Sequence, residues 1–271
     1  PPVLQANTVV ANPDYDALVP PLFDAPALPV VMHPDMPARW RRPGLWEAVH
    51  HAEGEGVWWA ELHGLHHLPA TVWLQALRRG IDDARRAHAN ASPICLAVEA
   101  SGEYDAAEPR DVRAADLAMA VEGFTKLFGR PPSSFCPPDY RFDDWLEGEA
   151  EKHGLTTLQG KPERAGGRFV ALRRRWLMLR FPHQAGARFY LPPRIAFEPR
   201  GQVRPDGRVG HAAAVKAVRE AWKRGQPAIL STHRLNFAHL DPAWSQAGRD
   251  ALRALLAQLA EEGAVFLTDA E

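Results

Sequence analysis

The sequence has few cysteines, no long apolar run and almost no excess of charge. Cys95 and Cys136 are its only cysteines and lie far apart, which excludes a disulfide framework and a CxxC metal knuckle. No apolar run approaches the roughly 18 residues that a membrane-spanning helix needs. The formal net charge of -1 gives no electrostatic argument for nucleic acid or an anionic membrane. We therefore expect neither nucleic acid nor a membrane as a partner.

The length and composition suit one large α/β domain. The chain has 271 residues, of which 46% are apolar, enough for a sizeable core. No repeat and no low-complexity linker divides it, so we expect a single domain over residues 1–271. Two isolated thiols suit a reducing compartment. Together with the lack of a charged and then apolar segment after Pro1-Pro2, they favour the cytoplasm without fixing the location.

Short apolar runs alternate with helical patterns along the chain. Continuous apolar runs are typical of strands buried on both faces of a parallel sheet. The predicted strands are 8–11, 28–32, 56–62, 94–98, 228–232 and 265–267. Helical periodicity predicts helices over 111–128 and 247–262, the second ended by Gly263. The pattern predicts an α/β fold with parallel strands. We favour a barrel over an open sheet because polar residues follow many different strands.

Three histidines follow one predicted strand directly, in the segment Glu61-Leu62-His63-Gly64-Leu65-His66-His67. The spacing of His63 and His67 lets both imidazoles converge on one cation if the chain turns tightly after the strand. Imidazole ligands suit zinc, iron, nickel or cobalt. The alternative is that these histidines cap the strand and hydrogen-bond to the backbone, and the sequence leaves the two interpretations about equal.

A late histidine and a proline-rich loop supply further candidates. His233 comes after Leu230-Ser231-Thr232 and is a candidate general acid, the alternative being an ordinary half-buried histidine. In Cys136-Pro137-Pro138-Asp139-Tyr140 the double proline fixes how Asp139 and Tyr140 project. That pair can orient a catalytic base or contact sugar hydroxyls. A rigid turn into a helix that begins near Asp143 is the equal alternative.

A hydrolytic metal site needs a carboxylate beside its histidines. Acidic side chains near the ends of predicted strands are the candidates, namely Asp14, Asp16, Asp35 and Glu99. Each is weak alone, because an aspartate that follows a proline commonly caps a helix.

A short basic patch consists of Arg173-Arg174-Arg175 and Trp176. It is too short to argue for nucleic acid, and we expect a solvated turn or strand edge there. Nothing in the sequence gives Arg180 or Arg194 a partner.

Taken in order, the segments HGLHH, SFCPPDYRFDDWLEGEAEKHG and PAILSTHRLNFAHLD resemble the polysaccharide deacetylase superfamily. They are most similar to its bacterial branch with an HGxxH ligand motif and a late THRxN segment. The resemblance runs from about Thr8 to the last predicted strand. It implies a distorted (β/α) barrel of about seven units. It also implies a divalent metal, with zinc the expected ion, and the removal of N-acetyl groups from a carbohydrate substrate.

The resemblance implies roles for individual residues. His63 and His67 match the ligand pair, and His233 matches the late catalytic acid. Asp14 is the only early candidate for the aspartate that serves as metal ligand and base. Asp139, in the matching proline-aromatic loop, is a further catalytic candidate. The candidate substrate-binding residues are Tyr140, Arg234 and Asn236.

The chain departs from the family pattern in two places. The family's loop often carries an arginine that orients the base, and this chain has Cys136 near that position. No adjacent aspartates stand at the first predicted strand, and the surroundings of Asn12-Pro13-Asp14 resemble the family's second strand instead. We therefore expect the first strand and its aspartate pair either to lie upstream of Pro1 or to have been lost.

Two other functions remain open at this point. A carbohydrate-binding or structural barrel that has lost turnover is favoured by the missing aspartate pair. A glycosidase on a similar barrel needs two carboxylates about 5 to 10 Å apart across a cleft. Asp14 and Asp139 are the pair that the sequence offers for that role.

Overall fold

The structure, a computed structural model, describes residues 2–92, 94–96, 98, 102–141, 143–160, 167–182, 184–201 and 209–271. The strands are β1 (Leu4–Thr8), β2 (Ala11–Pro13), β3 (Val30–Met32), β4 (Trp58–Leu62), β5 (Ser134–Phe135), β6 (Thr157–Leu158), β7 (Gln184–Ala185), β8 (Arg188–Tyr190), β9 (Ile195–Ala196) and β10 (Leu230–Ser231). The helices are α1 (Leu45–Gly54), α2 (Ala70–Arg78), α3 (Asp82–Ala89), α4 (Arg110–Phe128), α5 (Asp144–Lys152), α6 (Arg168–Leu179), α7 (His211–Lys223) and α8 (Pro242–Glu261).

A parallel sheet organises the fold. Five strands lie in the order β1-β4-β5-β6-β8, and β7 joins β8 antiparallel at one edge. β9 and β10 form a separate parallel pair. The predicted α/β class with parallel strands is therefore confirmed. In the part of the chain that the structure describes, the hydrogen-bonded strands do not form one closed ring, so the barrel stays a prediction.

The individual strands show which of the predicted strand positions are correct. β4 and β10 lie within the predicted runs 56–62 and 228–232. Run 8–11 is divided between β1 and β2, because the first strand ends at Thr8 and the second begins at Ala11. β3 confirms run 28–32 as a strand but pairs antiparallel with β2, so its parallel orientation was predicted wrongly. A short apolar run carries no information on strand direction.

Among the described residues, two of the predicted strands are not found. The described residues of 94–98 are not in a strand, and Ile94 and Leu96 are exposed. Residues 265–267 have no strand partner among the described residues, and Val265 and Leu267 are 79% and 60% exposed. These runs were interpreted as buried because they are apolar. Composition alone does not distinguish a buried strand from an exposed apolar loop.

The two predicted helices are confirmed. α4 begins after Pro109 and ends at Gly129, which has a φ of 66°. α8 begins earlier than predicted because Pro242 occupies its first turn and the Asp241 carboxylate accepts the backbone N–H of Ala243. No described helix is both long enough and apolar enough to cross a membrane.

The largest core cluster lies between the parallel sheet and α4. Leu117 and Phe124 of α4 pack with Leu62, Phe135 and Leu158 from three neighbouring strands, and all five are buried. The last segment of the chain is attached to the sheet by polar contacts. Asp269 Oδ2 accepts hydrogen bonds from Gln5 Nε2 at 2.7 Å and from Ser134 Oγ at 2.8 Å. These hydrogen bonds hold the segment around Asp269 against β1 and β5 of the sheet.

Candidate functional site

His63 is the first residue beyond β4, at the carboxyl end of that strand. Its backbone N–H donates to the carbonyl of Thr8 at 2.9 Å. Cys136 follows the neighbouring β5, and its backbone N–H donates to the carbonyl of Leu62 at 3.0 Å. His63 Nδ1 lies 2.5 Å from the carbonyl oxygen of Cys136. Because a carbonyl only accepts hydrogen bonds, Nδ1 carries a proton. Burial lowers the pKa of His63, but Cys136 and Glu103 outweigh it and raise the pKa, which favours the charged ring. In the neutral form the lone pair is on Nε2.

The buried carboxylate of Glu103 folds the histidine segment into a tight turn. It accepts the backbone N–H groups of Leu65, His66 and His67 at 2.6, 2.9 and 2.7 Å. Burial by itself raises the pKa of Glu103, but the charge of His66 and these N–H groups outweigh it and lower the pKa to about 2. Glu103 is therefore ionised at neutral pH and holds the segment in place.

The rings of His63 and His67 lie side by side. Their centroids are 5.1 Å apart and their planes are inclined by 61°. Two imidazoles that bind one zinc ion through nitrogens at about 2.0–2.1 Å have centroids roughly 5 Å apart in tetrahedral geometry. Partial removal from water and the neighbouring His63 lower the pKa of His67, which favours the neutral form that binds metals. The spacing of the two rings therefore fits two positions of a metal site, which His63 would occupy in its neutral form.

His66, between the two candidate ligands, has a different role. Its side chain is 1% exposed and lies between two carboxylates, with Nδ1 3.1 Å from Glu103 and Nε2 3.6 Å from Asp116. Burial disfavours its charged form, but the charge of Glu103 outweighs this and raises the pKa of His66. Burial also raises the pKa of Asp116, to about 6. His66 is thus an internal ion-pair partner.

The loop after β5 contributes Asp139 and Tyr140 to the same edge of the sheet. Both have positive φ angles, 53° and 57°, so the double proline leads into a strained turn. Asp139 is close enough to His67 for its negative charge to raise the pKa of that ring, against the larger opposing effects. The structure therefore pairs two predicted site residues, His63 and His67, and places Asp139 where its charge acts on His67.

Arg194, the residue before β9, organises this loop. Its Nη1 donates to the Tyr140 hydroxyl at 3.0 Å, and its Nη2 donates to Cys136 Sγ at 3.2 Å. Burial disfavours the thiolate, but Arg194 and His63 outweigh it and lower the pKa of Cys136. Sequence reasoning gave Arg194 no partner and Cys136 no function. The double proline before Arg194, like the one after Cys136, was the available signal.

The carboxylate of Asp14 takes part in a local turn and has no described contact with His63 or His67. Its Oδ1 accepts the backbone N–H groups of Asp16 and Ala17 at 3.1 and 3.2 Å, as in an Asx-type turn. Within the described ranges, no group of three or more His, Cys, Asp or Glu side chains is arranged to hold a metal ion. Glu99, another acidic candidate, lies outside the described residues. The two imidazoles fit a metal, but the described residues do not assemble its carboxylate ligand.

His233 is held by a carboxylate that sequence reasoning missed. β9 and β10 are parallel neighbours, so Glu198 and His233 follow adjacent strand ends. His233 Nδ1 lies 2.6 Å from Glu198 Oε1, and its side chain is 53% exposed whereas that of Glu198 is 5% exposed. The buried amide of Asn236 donates to Glu198 Oε2 at 2.6 Å. Asn236 thus supports Glu198 from inside the protein, while Arg234 is exposed beside His233.

Comparisons with known proteins leave the site to be interpreted from its own residues. No protein-family model, no curated protein and no solved structure matches the chain.

Proposed function

We propose that the protein is a metal-dependent hydrolase that removes N-acetyl groups from a carbohydrate, on a distorted (β/α) barrel of the polysaccharide deacetylase type. The observation that carries this proposal is the pairing of His63 and His67, with ring centroids 5.1 Å apart at the end of a parallel strand. The carbonyl of Cys136 accepts a hydrogen bond from His63 Nδ1, which leaves Nε2 as the atom available to a metal. Such a backbone carbonyl is a common outer partner of a metal-binding imidazole.

In this proposal His63 Nε2 and the ring of His67 would hold a divalent ion, for which zinc is the expected choice. Such an ion polarises the amide carbonyl and lowers the pKa of a water molecule. The carboxylate ligand would be Asp14 or Asp139. The charge of Asp139 already acts on His67, but its carboxylate would have to move closer to the two rings, whereas Asp14 would have to leave its turn with Asp16 and Ala17.

Residues of the chain would carry the proton transfers. Asp139 would accept a proton from the attacking water, and His233 would donate one to the departing amine. Glu198 orients His233 by contacting Nδ1, which leaves Nε2 as the proton-donating atom. Closure of the barrel would bring the ends of β9 and β10 to the same rim as the end of β4.

Substrate binding would involve the polar groups around these residues. Arg194 holds the Tyr140 hydroxyl in a fixed position, where it would contact a sugar hydroxyl. Arg234 is exposed next to His233 and would contact the sugar from the other side. Asn236 would act indirectly, through Glu198, since it is fully buried.

A second candidate is a carbohydrate-binding barrel without turnover. The observation that favours it is the local turn that occupies the carboxylate of Asp14. This protein would bind N-acetylated sugars through the same rim but would release no acetate.

Acetate release and binding, measured on the same ligand, separate the two candidates. The purified chain is loaded with zinc and incubated with N-acetylated chito-oligosaccharides, and acetate and bound sugar are quantified. The proposal predicts acetate release that falls by about 10²–10⁴-fold in Asp139→Asn and in His233→Ala, with His51→Ala on the exposed face of α1 as the matched control. Sugar binding without acetate release would support the second candidate instead.

A further inference from the structure

Helix α6 corrects the expectation for the basic patch, because Arg173, Arg174 and Arg175 lie in a helix and not in a turn or strand edge. One face of the helix is anchored in the protein. Leu177 and Met178 are 3% exposed, and Arg174 Nη2 pairs with Glu147 Oε1 at 2.6 Å. These contacts fix which face of α6 is buried. The face opposite to it is directed toward solvent.

That opposite face exposes a stripe of large apolar side chains. Phe169 is 89% exposed and Leu172 is 64% exposed, while Trp176 and Leu179 are each 46% exposed. The spacings of three, four and three residues place all four on one side of the helix. A contiguous apolar patch of this kind marks an interaction surface more often than scattered exposed residues do.

Exposed arginines border the stripe along both edges. At 3.6 residues per turn, Arg173 and Arg180 lie along one edge, and Arg168 and Arg175 lie along the other. No acidic residue occurs between Gly167 and Pro182. Arg180 also stacks on Trp176, with its guanidinium carbon 4.9 Å from the ring centroid. We call this apolar stripe and its four arginines the α6 face.

We propose that the α6 face docks on an anionic lipid surface, with the helix lying in the plane of the headgroups. Phenylalanine, leucine and tryptophan on one face with arginines beside them are the composition of interfacial helices. The arginines contact lipid phosphates while the apolar side chains enter the boundary with the acyl chains. The net charge of -1 describes the whole chain and does not report this local concentration of positive charge.

The four arginines also argue against a second copy of the chain as the occupant. A two-fold interface brings the same patch of both copies together, so the arginine rows at the edges of the stripe would face each other. Like charges that oppose each other across an interface are unfavourable. An anionic lipid surface satisfies the apolar stripe and its basic borders at the same time.

Vesicle sedimentation tests the electrostatic half of the proposal. The full chain is mixed with vesicles of phosphatidylcholine alone or with added phosphatidylglycerol, at low and high salt. We expect partitioning onto the anionic vesicles that high salt weakens. Arg173→Gln/Arg180→Gln should lower the partition coefficient roughly 30-fold, since each basic residue near the surface contributes about 1 kcal/mol. The control Lys223→Gln/Arg253→Gln removes two exposed charges elsewhere and should change it less than threefold.

Apolar substitutions test the other half. Phe169→Ser/Leu172→Ser should lower partitioning at least about tenfold. The control Leu22→Ser/Leu240→Ser, at equally exposed positions, should leave it unchanged. Thermal melts confirm that each variant is folded. Failure to bind anionic vesicles at low salt, or equal loss in test and control variants, would overturn the proposal. So would a dimer that depends on Phe169 and Leu172, detected by analytical ultracentrifugation. None of these results bears on the hydrolase proposal.

Discussion

The carboxylate of Glu103 lies directly against the backbone of Gly64, so that a Cβ at Gly64 would stand 2.1 Å from Glu103 Oε1. Gly64 has a φ of 97°, and the three residues after it donate their backbone N–H groups to the same carboxylate. The orientation of His63 and His67 thus depends on a residue far away in the sequence. This dependence makes the site testable without knowledge of its substrate.

Replacing the Glu103 carboxylate by an amide should destabilise the fold. In Glu103→Gln the amide nitrogen cannot accept hydrogen bonds, so buried N–H groups lose their acceptor and His66 loses its counter-charge. We expect the free energy of unfolding in urea to fall by about 3 kcal/mol. The exposed helix pair of Glu122 with Lys126 supplies the control Glu122→Gln, which should leave the free energy of unfolding almost unchanged because water screens both charges. Equal effects of the two substitutions would contradict the role of Glu103.

Adding a side chain at position 64 should lower the free energy of unfolding more than the small size of a methyl group suggests. Gly64→Ala places a methyl group on Glu103 and requires a backbone conformation that alanine rarely adopts. We expect a loss of at least about 3 kcal/mol in unfolding free energy, measured by urea titration. Gly148→Ala, in the open interior of α5, is the matched substitution and should stabilise by up to about 1 kcal/mol. An unchanged free energy of unfolding in Gly64→Ala would contradict the close contact between Gly64 and Glu103.

Asp116 should make stability depend on pH in a defined direction. Burial, Glu103 and Glu108 raise its pKa to about 6, against the opposing effect of His66. The folded protein therefore binds this proton more tightly than the unfolded chain, whose Asp116 has a pKa of 3.8. The stabilising contribution is fully present below that value and is lost as the pH rises through about 6. Asn does not ionise, so Asp116→Asn removes the cost of the buried charge.

The prediction is thus a pH-dependent gain in Asp116→Asn. Relative to wild type, we expect about 2 kcal/mol of added stability near pH 8 and almost none near pH 4. Urea titrations of both proteins at the two pH values measure this difference. A gain that is larger at the lower pH would contradict the assigned direction of the shift.

His233 and Glu198 should act on turnover without affecting metal content. In the proposed reaction His233→Ala removes the proton donor, and we expect turnover to fall by about 10²–10⁴-fold. Glu198→Gln should reduce turnover less, because it weakens only the orientation of His233. Acetate release measures the rate, and elemental analysis measures the metal. Unchanged turnover in His233→Ala would remove this residue from the mechanism.

The sequence predicted the candidate metal-binding and catalytic residues better than the residues that hold them in place. His63 and Cys136 lie side by side because β4 and β5 are neighbouring parallel strands whose carboxyl ends meet. β4 falls within a predicted apolar run, whereas β5 has only two residues and was not predicted. Glu103 was not predictable, since it lies in an irregular segment with no periodic pattern and reaches the histidines only through the fold. Arg194 and Glu198 were missed for the same reason, because their partners are distant in sequence.

Metal content of the purified chain decides whether His63 and His67 bind a metal ion. The protein is loaded with zinc, desalted and analysed for metal per chain, together with His63→Ala, His67→Ala and the exposed control His51→Ala. We predict close to one zinc per chain in wild type and His51→Ala, and loss of tight zinc binding in His63→Ala and in His67→Ala. Absence of retained zinc in wild type, or full retention in both His63→Ala and His67→Ala, would contradict it.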